Sequence, residues 1–257
     1  MCGRYASSRK PDDLAEEFEV DRVEAGESLE PDFNVAPTKQ VYAVLDRVAH
    51  DSPADAPPQR RLTTVKWGLV PHWAKDPAIG SRMINARMET LAEKPAYRRA
   101  FAKRRCLLPA DGYFEWYPTE QVGTSGKPLK QPFFIRPADG GVLAMAGLYE
   151  IWRNDAVADD HADAFLWTAT VITTSAEDSL GHIHDRMPML VERERYSAWL
   201  DSTVSAPDDL SALLVPAAPG RLEAFPVSKQ VNNVRNNGAE LVAPLAPEGS
   251  PEALFGP

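Results

Sequence analysis

Cysteine is nearly absent from this 257-residue chain, in which only Cys2 and Cys106 occur. Two thiols cannot staple a disulfide scaffold, and MCGRYASSRKPDD shows no secretory leader, so both are expected as free thiols of a cytoplasmic protein. Long apolar runs are missing too. None approaches the roughly eighteen residues of a membrane helix, and no membrane partner is expected. Histidine is scarce, with five in all. The one suggestive pair, His182 and His184, lacks the further ligands that a metal site needs, so neither metal nor cofactor is expected. No internal repeat is visible, which sets aside repeat architectures.

What is present is ordinary in bulk, at 44% hydrophobic and 25% charged residues, enough for a proper core in a soluble globular protein. The charge is unevenly distributed. From Arg60 to Cys106 twelve Lys and Arg stand against Asp76, Glu89 and Glu93, a local +9; with −9 in total, the rest carries −18. Polyanion binding depends on such a local surface rather than on the total, although solvated helix faces produce the same pattern.

The segment 11–19 predicts a short acidic helix with Leu14 and Phe18 on one face. PDFNVAPT (31–38) is read as a loop, and QVYAVLDRV after it as a strand. DSPADAPPQ (51–59) is read as a surface loop, VKWGLV (65–70) as a strand, and PHWAKDPAIGS as a loop. A basic, partly helical stretch runs from Met88 to Lys103. In YRRAFAKRR (97–105), Tyr97 and Phe101 should dock a helix while its arginines stay solvated. RCLLPADGYFEWY holds two apolar runs about a turn, and residues 118–131 a hairpin or flexible loop. FFIRP, VLAMAGLYEIW and FLWTATVITT are strands; 193–200 and 207–214 are helices. Strands and helices without βαβ alternation predict a single α+β domain over 1–245, with 246–257 as a loose tail.

Cys2 carries the sharpest chemistry. Removal of Met1 would leave an amine and a thiol on adjacent carbons, with reference pKa values of about 7.7–8.0 and about 8.5. Such a pair condenses with an aldehyde to an imine and then closes a thiazolidine ring. The same terminus also suits an N-terminal-nucleophile thiol peptidase, with the amine as base. Arg4, Arg87 and Arg186 each follow Cys2, Asn85 and His184 by two residues. That recurrence fits phosphate clamps alternating with reactive groups around one groove, although each also suits a surface ion pair. Trp73 is a candidate wedge against an exposed base, whereas Trp67 is expected in the core. Glu115 lies in an aromatic strand, either buried with a raised pKa or facing water with Tyr113 and Tyr117. Cys106 is read as a buried small hydrophobe, and His182 as a surface residue.

MCGRYA, FNVAPT, WGLVPHWAK, INARMET, LLPADGYFEW, IHDRMPML and VSKQVNNVRNNG, in this order and across nearly the whole chain, resemble the SOS-response-associated peptidase family. The resemblance implies one domain with a curved, barrel-like mixed or antiparallel β-core and peripheral helices. It implies a sensor of abasic sites in single-stranded DNA; a cytoplasmic monomer, nucleoid-associated when on DNA, is expected. Its N-terminal cysteine becomes covalently linked to the lesion once Met1 is removed, by methionine aminopeptidase or autoproteolytically, with DNA lyase action as a side reaction. It further implies that Asn85 orients the Cys2 amine, Glu115 shuttles protons and His184 promotes opening of the sugar. Asn34 and Pro37 match the family's loop along the cleft. A noncovalent binder of modified or single-stranded DNA is the remaining alternative.

Overall fold

The computed structural model describes residues 2–246 except 25, 27, 49–52, 54 and 55. Its strands, in chain order, are β1 (Tyr5–Ser7), β2 (Arg22–Val23), β3 (Asp32–Val35), β4 (Gln40–Arg47), β5 (Gln59–Trp67), β6 (Asn85–Arg87), β7 (Arg105–Ala110), β8 (Gly112–Val122), β9 (Pro128–Pro137), β10 (Leu143–Arg153), β11 (Phe165–Ser175), β12 (Arg186–Pro188) and β13 (Leu222–Pro226). Five short helices accompany them: α1 (Pro11–Glu17), α2 (Arg98–Lys103), α3 (Asp178–Gly181), α4 (Tyr196–Leu200) and α5 (Pro207–Leu213). No helix among the described residues is long and apolar enough to cross a membrane.

Alternation along the strands explains the architecture. β4, β5, β7, β10 and β11 pair in series, and a short parallel contact between β5 and β11 (Lys66 with Thr168, Trp67 with Ala169) closes them into a five-stranded barrel. Val41, Ala43 and Leu45 on β4 and Met145 and Tyr149 on β10 fill the interior. The alternate residues, among them Tyr42, Val44, Ala144, Ala146 and Leu148, pack outward on a second layer with Phe18, Phe101, Tyr196 and Trp199. Because both faces are covered, β10 reads as one apolar run instead of alternating. The remaining strands form a second sheet, ordered β13-β9-β8-β1-β3. Asp111 alone separates β7 in the barrel from β8 in this sheet, so the predicted turn is where the chain changes sheets.

Several expectations are corrected. PDFNVAPT is partly strand, because Tyr5 and Ser7 pair with Val35 and Asp32. β5 begins at Gln59 and ends at Trp67, where Gly68 adopts φ 128°. A side chain at Gly68 would meet the Gly80 carbonyl oxygen at 2.5 Å, so glycine is required where the two strands of backbone touch. The predicted hairpin at 118–131 is formed by β8 and β9. Helix α2 docks through Phe101 and the partly buried Tyr97 as expected, but its arginines are not all solvated. Arg105 is buried and donates to the carbonyls of Trp199 and Phe101, each at 2.7 Å, while Arg104 pairs with the buried Glu150. Arg60 and Arg61 pair with Asp46 and Glu24. The local excess of positive charge is thus partly neutralised inside the fold. The predicted tail beyond Ala246 and much of the 51–59 loop lie outside the described residues.

Candidate active site

The chain enters the gap between barrel and second sheet at its N-terminus. Cys2 is fully buried among apolar neighbours that include Tyr5, Tyr113 and Ile183. The thiol is pushed well above the ordinary cysteine range, chiefly by burial and next by the negative charge of Glu115; a hydrogen bond from the Arg4 backbone opposes the rise. It is therefore neutral near pH 7.

Asn85 sits at the start of β6, which pairs in parallel with β11 through Val171. Its Nδ2 donates to the Cys2 carbonyl oxygen at 2.7 Å. A carbonyl only accepts, so the amide orientation is fixed, and Oδ1 is left as an acceptor. That oxygen is buried and has no hydrogen-bond partner among the described residues. An orphaned buried acceptor beside the Cys2 backbone is costly unless a donor comes to it.

Glu115 lies on β8 and is 4% exposed, which decides between the two sequence readings in favour of a buried carboxylate. Burial raises its pKa, while nearby positive groups including His184 and Lys130 pull it down. His184 is half-buried, and its Nδ1 accepts the Arg186 backbone N–H at 3.0 Å. Asp185 Oδ1 lies 2.9 Å from the same nitrogen, a contact that bonds only if Nδ1 carries a proton. The backbone donor is fixed and the Asp185 side chain is exposed, so in the neutral ring the proton belongs on Nε2.

The candidate phosphate contacts differ sharply in their surroundings. Arg4 is half-buried; it donates to Asn34 Oδ1 at 2.6 Å and to the Val231 carbonyl at 3.0 Å, and lies 5.8 Å from the Trp116 ring centroid. Asn34 is wholly buried, and its Nδ2 reaches the carbonyls of Val231, Asn233 and Asn236. It thus stitches the FNVAPT segment to VNNVRNN and acts through the position of Arg4. Pro37 is half-buried in the turn that follows. Arg186 forms a two-pronged pair with Glu89 at 2.6 and 3.0 Å and also donates to the Thr173 carbonyl. Arg87 and Trp73 are exposed. Trp67 and Cys106 are core residues, and His182 is at the surface.

Three contributors went unnoticed in the sequence. Lys130 comes near Glu115 from the neighbouring strand β9, Glu89 neutralises Arg186, and Trp116, held by a bond from Nε1 to Asn232 Oδ1 at 2.7 Å, flanks Arg4. Only Trp116 carried a signal, as the polar-edged aromatic following Glu115.

A sequence model described as SOS response associated peptidase (SRAP) matches residues 1–234. The chain belongs to this family. Its relatives include the abasic site processing protein YoaM of Bacillus subtilis, 36% identical over 242 residues and covering 94% of this chain and 97% of the relative. The abasic site processing protein YedK of Escherichia coli is 34% identical over 252 residues, with 95% and 100% coverage. The abasic site processing protein HMCES of Xenopus tropicalis is 28% identical over 278 residues, with 95% and 78% coverage. A crystal structure of a Bacteroides thetaiotaomicron protein superposes with a TM-score of 0.76 at 23% identity, covering 95% of this chain and all of the other. The SRAP fold is thus shared among sequences that have diverged widely.

Proposed function

We propose that this SRAP protein processes abasic sites in single-stranded DNA by joining them covalently to Cys2 once Met1 has been removed. The names of its relatives support abasic-site processing. The observation that carries the covalent reading is the Asn85 amide, anchored on the Cys2 carbonyl with a buried acceptor left over. A freed Cys2 amine would supply the donor that this oxygen lacks, and donating one N–H would orient its lone pair.

The reaction runs without metal or cofactor. Nε2–H of His184 donates to the ring oxygen of the abasic sugar and assists opening to the aldehyde. The Cys2 amine attacks the aldehyde carbon, and the resulting hydroxyl leaves as water with a proton supplied through Glu115, giving an imine. Because the thiol is held neutral by burial, amine attack comes first. Sγ then adds to the imine carbon, its proton passes to the nitrogen, and the thiazolidine closes. One water is released overall. DNA lyase chemistry would branch from the imine, before Sγ adds.

Arg87 and Trp73 are exposed and are assigned to contacts with the strand, and Arg186 meets phosphate by exchanging its Glu89 partner. Arg4, held by Asn34, supports the cleft from behind.

A single-stranded oligonucleotide with one abasic site, mixed with protein shown by mass to lack Met1, should give a shifted band on a denaturing gel. Cys2→Ala should abolish the band, and Cys2→Ser should leave at most a weaker one. Absence of a Cys2-dependent band excludes the covalent reading. Turnover of peptides blocked by thiol alkylation would instead favour the peptidase.

A further inference from the structure

The inward rows of the barrel strands lead to a second cavity at the mouth remote from Cys2. On β4 the buried inward row Val41, Ala43, Leu45 has Arg47 as its next member. On β5 the row Trp67, Val65, Thr63 continues through Arg61 to Gln59, the partner of Arg47. Adjacent strands thus carry guanidinium groups where their core rows leave the interior, which filling a barrel does not require. Arg47 and Arg61 join Arg22, Glu24, Phe165 and Trp167 around a cavity of about 680 Å³, within the roughly 300–1,000 Å³ of small-molecule sites.

Two of the three guanidinium groups there share one carboxylate. Glu24 lies 2.8 Å from Arg61 and 3.3 Å from Arg22. Arg61 is only 5% exposed, and its Nε is buried without a partner. Arg47 makes no hydrogen bond or ion pair among the described residues; its guanidinium lies 4.9 Å from the Trp167 ring centroid. Phe165, on the same wall, is 47% exposed. In a chain of net charge −9, a cavity whose described lining carries three guanidinium groups against one carboxylate, with aromatic walls, suits an anion that carries a flat apolar group.

We propose that this mouth binds a nucleotide, its phosphate taken by Arg47 and Arg22 over the positive charge of Arg61 and its base against Phe165 and the guanidinium plane of Arg47. The nucleotide is either a free mononucleotide or one unit of a strand. Four residues of β11 separate Trp167 from Val171, the partner of Asn85, roughly 13 Å, so this site stands apart from the covalent chemistry and does not depend on it.

Calorimetric titration of the full chain with dAMP, inorganic phosphate, deoxyadenosine and an unmodified single-stranded oligonucleotide tests the assignment. Saturable one-to-one binding of dAMP is expected, weakened at least tenfold by Arg47→Ala, several-fold by Arg22→Ala, and unchanged by Cys2→Ala. Phosphate should bind more weakly, and deoxyadenosine should not bind measurably. Oligonucleotide binding that requires Arg47 while dAMP fails to bind identifies the strand as the source. Arg22 lies on an exposed edge strand, so its variant decides the matter should Arg47→Ala fold poorly. Absence of binding that depends on these arginines, for dAMP and oligonucleotide alike, overturns the proposal.

Discussion

At the mouth that carries Cys2, the barrel rows finish in Ala110 and Leu143 and meet Tyr5, Tyr113 and a neutral thiol; at the other mouth Arg47, Arg61 and Trp167 line a cavity. The first mouth is covered by the second sheet through β1 and β8. Cys2 and Glu115 are buried there, and two further candidate groups are held by backbone bonds: Asn85 to Cys2, His184 to Arg186. The second mouth is charged, and among the described residues the Arg47 side chain is held by stacking on Trp167. Burial at one end favours positioned covalent chemistry, since a dry site removes competing water and fixes geometry. Charge at the other favours reversible binding.

The largest effect expected is a contrast between the mouths. Cys2→Ala should remove the DNA adduct entirely, while Arg47→Ala leaves its rate within about twofold; a comparable loss from Arg47→Ala would erase the distinction. Next, Asn85→Ala should slow adduct formation by roughly 10- to 100-fold, measured on timed gels, because the amine loses its orienting acceptor. In the interior shared by both ends, Leu108→Ala should cost about 2–5 kcal/mol in urea unfolding. An effect well under 1 kcal/mol would mean that the barrel is not the common support.

Smaller effects sharpen the first mouth. The pKa of Glu115 is raised in the folded chain, so the native state binds more protons than the unfolded one above pH about 4.3. Stability contributed by this group is present at low pH and lost as pH rises through the raised folded value. Glu115→Gln should flatten that part of the stability profile; an unchanged slope would mean that burial does not control the carboxylate. Finally, Arg87→Ala should lower the salt slope of noncovalent DNA binding by about 1. Arg186→Ala should change the slope less, since Glu89 already offsets its charge.

Local patterns made much of this visible in the sequence. The spacing of Leu14 and Phe18 reports α1, and the alternation of QVYAVLDR reports β4, because each depends on its own neighbours. Cys2, Asn85, Glu115 and His184 are candidates singled out through the motifs that resemble the family. What stayed hidden depends on distant partners. DFNV looks like a loop until Tyr5–Ser7 pairs with it, and barrel closure rests on two residue pairs between β5 and β11. Asn34 gains its meaning from carbonyls about 200 residues away. Arg105 appears solvated in sequence, yet the exposed carbonyl ends of α2 and α4 draw it inside.

In the proposed adduct both the amine and the thiol of Cys2 end on the sugar carbon. The direct measurement is an intact mass of the purified adduct after alkylation in denaturant. One alkyl group, on Cys106, together with loss of Met1 and of one water, is the predicted result. Two alkyl groups would show that the Cys2 thiol remains free and the ring never closes, and an adduct mass that retains Met1 would contradict the account outright.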